Sequence, residues 1–405
     1  MRKKEAKLVE KGISIKSGRP TYWINTGNYL LNKIISGKYF NGIAQGRIAA
    51  VTGPSSAGKS FIVGNIAREA QKQGVGLFVM DSENALDDGF MQALGVDTEA
   101  EDYFYRGITG ISEATELVAE FIKEYRAEKE DKKWLIILDS IDMLSTDSEI
   151  EQFEKGEQKG DQGQHAKQVK KMLKPWVNGI SGLNISILCI KQVFQEQDPM
   201  LAKNPQTAWK FTESSKYAFS QILLVTKFML KDENAKKIPG RNDTQYSGIR
   251  LKAYGFKTRF TKPFQSVSVE VPYETGMDPY DGLLEMASVI GVVEKNGGWY
   301  NFGDDKFQAK NSGEFMDAIL AKMVEQESTF LMDDREGDIV EATSGTDSIS
   351  GARKKKLMAV MASEEAADEE ERQKRAKKKR RRKSRLRRKK TMTKKMKKLT
   401  SKPKM

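Results

Sequence analysis

The chain has 405 residues, 38% of them hydrophobic and 31% charged, which allows a substantial buried core. No apolar run approaches the roughly 18–20 residues of a membrane span, and no hydrophobic stretch follows the basic N-terminus, so neither a membrane anchor nor a signal peptide is expected. A lone cysteine, Cys189, excludes an internal disulfide framework and suits the reducing cytoplasm where the protein is expected, and a lone histidine, His165, excludes a histidine metal cluster or a Ser–His–Asp triad.

Charge is unevenly spread. Residues 353–405 carry 25 Lys+Arg against 6 Asp+Glu, a net of +19 that leaves the remaining chain at −6. A mildly acidic body with a strongly basic tail points to nucleic acid or another anionic surface.

In chain order, residues 1–21 read as a Lys/Glu-rich arm. The runs Arg47–Thr52, Gly76–Asp81, Trp134–Asp139 and Ile185–Ile190 are short and apolar throughout, as strands buried on both faces of a parallel sheet are. Helix-like stretches, Ser60–Gln73, Ser112–Ala127 and Gln164–Lys174, lie between them, so an α/β core is expected over residues 22–275. After about Asp232 come strands at Gly248–Tyr254 and Ser266–Val271. A small α/β unit over 276–325 would hold a helix near Gly282–Ile290 and a hairpin near Trp299–Phe307. Residues 326–371 read as a charged linker. From 372 to 405 the chain holds 21 basic residues and no acidic one, which predicts a disordered tail.

Gly53-Pro54-Ser55-Ser56-Ala57-Gly58-Lys59-Ser60 matches the phosphate-binding pattern G-x-x-x-x-G-K-[ST], between a predicted strand and a predicted helix. The glycines let successive N–H groups face phosphate oxygens, Lys59 adds charge, and the Ser60 hydroxyl suits Mg²⁺. The following helix directs its positive end at the same place. Asp139 closes a buried strand, where a carboxylate is placed to hold the same metal ion. Glu83 follows another strand, at the end of a parallel sheet where active sites form, and could deprotonate a water.

With those residues placed, the chain resembles the RecA-type recombinases, closest to their phage UvsX-like branch. The similar segments run from about Thr26 to Leu320 and include GRIAAVTGPSSAGKS, DSENALDDGF, GDQGQHAKQVKKMLK, NPQTAWKFTESSKYAF and KTRFTKPFQSVSVEVPYETGMDPYDGLLEMA. The resemblance implies a RecA-like P-loop ATPase core with a mainly parallel sheet between helices, ATP and Mg²⁺ as cofactors, and DNA-stimulated hydrolysis. It implies helical filaments on single-stranded DNA that pair with a homologous duplex, served by a loading mediator and a single-strand-binding protein. Residue by residue, it makes Glu83 the activator of the attacking water and Gln192 the sensor of the γ-phosphate. It adds Phe61 to the phosphate cradle and places Asp87, Phe90 and Tyr273 at adenine. Lys257 and Arg259 would reach a neighbouring subunit's ATP, beside the interface residues Lys216 and Tyr217.

DNA-binding loops would span 148–164, ending at Gln164 with Lys167 just beyond, and 193–216. The second contains Phe194, Trp209 and Phe211 beside Lys203 and Lys210, a mixture of rings and cations suited to a single strand. Trp209 and Phe211 could instead pack beneath the loop. The sequence departs from the family in its short arm, the lack of a glycine pair in the second loop, Lys191 where asparagine is usual, and a basic rather than acidic C-terminus. Two other classes use the same residues: a hexameric helicase-type motor and a non-catalytic, nucleotide-gated DNA-binding protein.

Overall fold

The computed structural model describes residues 19–128, 131–157, 163–198, 200, 208–211, 213–231, 246–272 and 276–333. The basic tail and nearly all of the arm and linker lie outside the described residues, as do Lys203 and Tyr273.

The four apolar runs form the strands β3 (Ile48–Gly53), β4 (Val75–Asp81), β6 (Lys133–Asp139) and β7 (Ile185–Gln192). Before them come β1 (Trp23–Ile24), which pairs with β2 (Ile43–Ala44), and between these two the helix α1 (Tyr29–Ser36). Helix α2 (Lys59–Lys72) follows β3, α3 (Asp88–Ala93) and the strand β5 (Tyr103–Gly107) follow β4, and α4 (Ile111–Glu128) leads into β6. Helices α5 (Asp147–Glu154) and α6 (Gln164–Gly179) connect β6 to β7. Beyond β7 lie the short strands β8 (Phe194–Gln195) and β9 (Trp209–Lys210), the one-turn helix α7 (Glu213–Lys216), and the longer strands β10 (Gln221–Lys231), β11 (Tyr246–Thr258) and β12 (Ser266–Pro272).

Eight of these strands make one sheet in the order β12-β11-β10-β3-β7-β6-β4-β5. The six strands from β10 to β5 are parallel, and β11 and β12 add antiparallel at one edge. Parallel strands need helical crossovers, and these cover both faces. The period-two alternation of β3 shows the division: Ala49 and Val51 face a core built with α1 and α2, while Ile48 and Ala50 face one built with α4 and α6. Fully buried side chains such as Leu188 and Ile136 each contribute about 1.5–3 kcal/mol of burial energy.

Helix α8 (Leu283–Val289), the three-stranded sheet of β13 (Glu294–Asn296), β14 (Trp299–Phe302) and β15 (Asp305–Gln308), and α9 (Met316–Asp333) follow. Leu283, Tyr300, Phe307 and Ile319 join the same apolar cluster as α1 and α2, so this unit has no separate core.

The strands β5 and β10 are not among those expected from the sequence, and three expected segments differ from their reading. The first half of the expected loop 148–164 is helical, because Thr146 and Glu149 close a capping box at the start of α5. Helix α6 continues through Pro175 to Gly179, its last turns anchored by buried Leu173 and Trp176. Helix α9 runs into the expected linker, since no glycine or proline interrupts residues 316–333.

Candidate functional site

The phosphate loop spans the gap between the last residue of β3 and the first of α2. Gly53 packs so tightly that a Cβ there would lie 2.3 Å from the carbonyl oxygen of Val225 on β10. Gly58 has φ +87°, the left-handed conformation that a side chain disfavours, and caps α2. Lys59 is 9% exposed, and its Nζ donates to the carbonyl oxygens of Pro54 at 2.9 Å and Gly53 at 3.3 Å. Its ammonium therefore sits over the loop it belongs to. Burial lowers the Lys59 pKa, opposed by the negative charges of Glu83, Asp139 and Asp142. Ala57 is buried and Phe61 half-buried against the core, while Ser55 and Ser56 are exposed at the crest of the loop.

Ser60 Oγ donates to Asp139 Oδ2 at 3.0 Å, joining the start of α2 to the end of β6. Asp139 is 1% exposed, and burial pushes its carboxyl up to about 7; the Ser60 hydroxyl and Lys59 oppose that rise, while Glu83 and Asp81 add to it. A buried carboxylate beside a hydroxyl is an oxygen-donor pair of the kind that holds Mg²⁺ together with phosphate oxygens. These two residues fit the ion that the sequence motif implies.

Glu83 stands on a loop fixed from below by Asp81. Asp81 Oδ1 accepts the Glu83 N–H and Oδ2 accepts the Leu86 N–H, each at 2.9 Å, and the Tyr105 hydroxyl donates to Oδ2 at 3.2 Å. Ser140 Oγ donates to Glu83 Oε1 in a short hydrogen bond, and Ser82 Oγ accepts the Ser140 N–H at 2.9 Å. Glu83, exposed at its own surface, is thus held next to the Asp139 strand end. Sequence reasoning assigns no role to Asp81 or Ser140, although Asp81 ends a buried strand just as Asp139 does.

Asp87 caps α3, accepting the Phe90 N–H at 2.9 Å, and Phe90 is half-buried against the core. Gln192 ends β7 directly beside Gly53 in the sheet register. Its N–H is held by Asp142 Oδ2 at 2.6 Å, and Lys191 forms an ion pair with the other oxygen of the same carboxylate.

The four residues expected at a subunit boundary come together. Lys257 Nζ donates to the Lys216 carbonyl at 2.6 Å, and Arg259 Nη2 donates to that of Tyr217 at 3.2 Å. The Tyr217 ring is 75% exposed. Lys257 pairs with Ile222, which pairs with Ala50, three residues before Gly53 on β3. The register therefore sets Lys257 back from its own phosphate loop by roughly 10 Å along the sheet, at about 3.3 Å per residue.

In the second loop, β8 and β9 form an antiparallel pair with Phe194 opposite Lys210. Phe194 is 71% exposed, and Lys210 is exposed and ion-paired with Glu196 at 2.8 Å. Phe211, expected at a DNA strand, is 7% exposed and packs edge-on to Phe219 in the core, with Trp209 half-buried nearby. The packing reading describes Phe211. Gln164 and Lys167 are exposed on the first turn of α6.

Residues 15–278 match the family described as RecA N-terminal domain. The chain is similar to Protein RecA of Treponema denticola, 28% identical over 285 residues that make up 70% of this chain and 63% of that protein. It is similar also to Protein RecA of Thermus aquaticus, 29% identical over 70% of this chain and 80% of that one, and of Geobacter sulfurreducens, 28% identical over 65% and 72%. The alignment thus spans just under two thirds of the Treponema protein. The family match takes in the phosphate loop, Glu83, Asp139, Gln192, Lys257 and Arg259: this chain belongs to the RecA family.

Proposed function

We propose that the protein is an ATP-dependent DNA strand-exchange recombinase, and retain the narrower UvsX-like placement as part of that proposal on the segments from Thr26 to Leu320. The observation that carries the reading is the convergence of Lys59, Ser60 and Asp139 around one loop with Glu83 clamped beside them. The loop N–H groups and Lys59, with Phe61 at the end of the cradle, bind and orient the triphosphate of ATP, and Asp87, Phe90 and Tyr273 frame the nucleoside. Ser60 and Asp139 would hold Mg²⁺, which would supply charge stabilisation to the phosphoryl oxygens. Glu83 takes a proton from the attacking water.

The position of Lys257 and Arg259, set back from their own loop, supports their service to a neighbouring subunit's ATP, beside Lys216 and Tyr217. Positive charge supplied in trans makes hydrolysis depend on filament assembly. Gln192, next to Gly53, reports the γ-phosphate to the second loop, where exposed Phe194 offers a ring for base stacking with Lys203 and Lys210 at the backbone. Gln164 and Lys167 serve the first loop. A loading mediator and a single-strand-binding protein belong to the same proposal. The basic tail gathers duplex DNA without reading its sequence, at a salt dependence of about 0.9 per neutralised phosphate.

Family membership favours strand exchange over a helicase-type motor. Turnover separates it from a nucleotide-gated binder. The test is ATP hydrolysis with and without single-stranded DNA. The intact chain should be DNA-stimulated, and Glu83→Gln should bind ATP but turn over at least about 100-fold more slowly, the scale of a lost general base. Near-normal hydrolysis in Glu83→Gln removes that residue from the mechanism, and no DNA stimulation of the intact chain contradicts the reading.

A further inference from the structure

Lys191 is a charged residue in an otherwise apolar setting. It follows Ile190 in β7, is 6% exposed, and its side chain points to the α4–α6 face of the sheet. Taking an ammonium out of water is costly unless it is paired. The partner is Asp142, two residues beyond Ser140, in the turn that follows β6.

Asp142 makes two commitments with one carboxylate. Oδ1 holds the Lys191 ammonium, and Oδ2 holds the N–H of Gln192. The Lys191 backbone is fixed as well, because the Thr52 hydroxyl donates to its carbonyl at 2.8 Å, one residue before the phosphate loop. On its remaining side the Lys191 ammonium lies 5.8 Å from the centre of the Phe211 ring, where the second loop returns to the core. The field of Asp142 also reaches Lys59. A single ion pair therefore touches the strand end beside the phosphate loop, the turn that carries Ser140 and so Glu83, and the returning limb of the loop.

We infer that Lys191 and Asp142 are a positioning pair that couples the second loop to the nucleotide end of the sheet, by fixing Gln192 against Gly53 according to how Phe211 is seated. The inference rests on the proposed ATPase and DNA-binding reading. Neither residue belongs to the phosphate loop; both act through Gln192 and through the Ser140 turn. The pair spans 49 residues of sequence. A change in the loop that shifts Phe211 alters the surroundings of the Lys191 ammonium, and the shared carboxylate passes the shift to the Gln192 N–H.

The test compares Lys191→Met, which keeps length and removes charge, with the conservative Lys191→Arg. The double variant Lys191→Met/Asp142→Asn removes both charges and leaves no lone buried ion. Each is assayed for thermal unfolding, for ATP hydrolysis without DNA, and for hydrolysis across a titration of single-stranded oligonucleotide. A second readout, independent of turnover, is tryptic cleavage within residues 193–216 with and without a non-hydrolysable ATP analogue. Lys191→Met and the double variant should retain DNA-free hydrolysis while the DNA-stimulated increment falls about tenfold, and the analogue should no longer change cleavage of the loop. Lys191→Arg should recover most of both. Full DNA stimulation in the double variant overturns the proposal. So does a parallel fall of DNA-free and DNA-stimulated rates, which marks a purely structural role, or equal loss in the arginine variant. If the intact chain itself shows no DNA stimulation, the proposed function has failed instead, and the two results are told apart by that control.

Discussion

Asp81 and Asp139 sit side by side at the ends of β4 and β6, each 1% exposed, and do different work. Asp139 faces the Ser60 hydroxyl and is left basic by its burial. Asp81 spends its oxygens on the backbone N–H groups of Glu83 and Leu86 and so shapes the loop that presents Glu83. Asp81→Asn keeps the shape but loses one of the two acceptors. It should lower turnover by up to about 10²-fold, as small misplacements of a reacting group do, with ATP affinity little changed. Steady-state kinetics and nucleotide titration check this, and unaltered turnover would show that the loop holds without the clamp. Residues whose type and spacing announce their chemistry, such as Lys59, Ser60, Asp139 and Glu83, are legible in the sequence. Asp81, Ser140 and the Lys191–Asp142 pair are not, because their roles arise only when separate strand ends are brought together by the sheet.

Elements were legible largely in proportion to their burial. Four strands covered on both faces, β3, β4, β6 and β7, show as apolar runs, and the phosphate loop is announced by its glycines; β10, buried on both faces over residues 222–225, is not among the strands expected from the sequence. The edge strand β5, Tyr-Phe-Tyr-Arg-Gly, carries no such signal, because Phe104 and Tyr105 are exposed and only one side of it is paired. The second loop shows the limit of composition as a guide. Phe194 and Phe211 are equally plausible base-stacking rings in sequence, but the β8–β9 pairing exposes the first and the core takes the second. Phe211→Ala should therefore destabilise the fold by about 3–5 kcal/mol, the usual cost of deleting a buried ring. Phe194→Ala should leave stability unchanged and weaken single-strand binding by about 1–3 kcal/mol per base lost from stacking. Thermal unfolding and fluorescence titration with an oligonucleotide separate the two. A stable Phe211→Ala variant with lost DNA affinity would reverse the assignment.

At the scale of the molecule, one sheet organises two ends with different tasks. The phosphate loop, Glu83, Asp139 and Gln192 gather where β3, β4, β6 and β7 finish. Lys257 and Arg259 lie back along the sheet, next to exposed Tyr217 and away from the loop of their own chain. A single chain thus separates the phosphate cradle from Lys257 and Arg259, as the proposed service to a neighbouring subunit requires. The family resemblance alone suggests such a division in the sequence; the setback of Lys257 from its own loop is visible only in the strand register. The most direct measurement is a strand-exchange assay of the full chain, with circular single-stranded DNA and a homologous linear duplex in the presence of ATP and Mg²⁺. Joint molecules should form with the homologous duplex, and should fail to form without nucleotide or with a heterologous duplex. DNA-stimulated ATP hydrolysis with no joint molecules, or unwinding of a forked duplex in their place, would contradict the account.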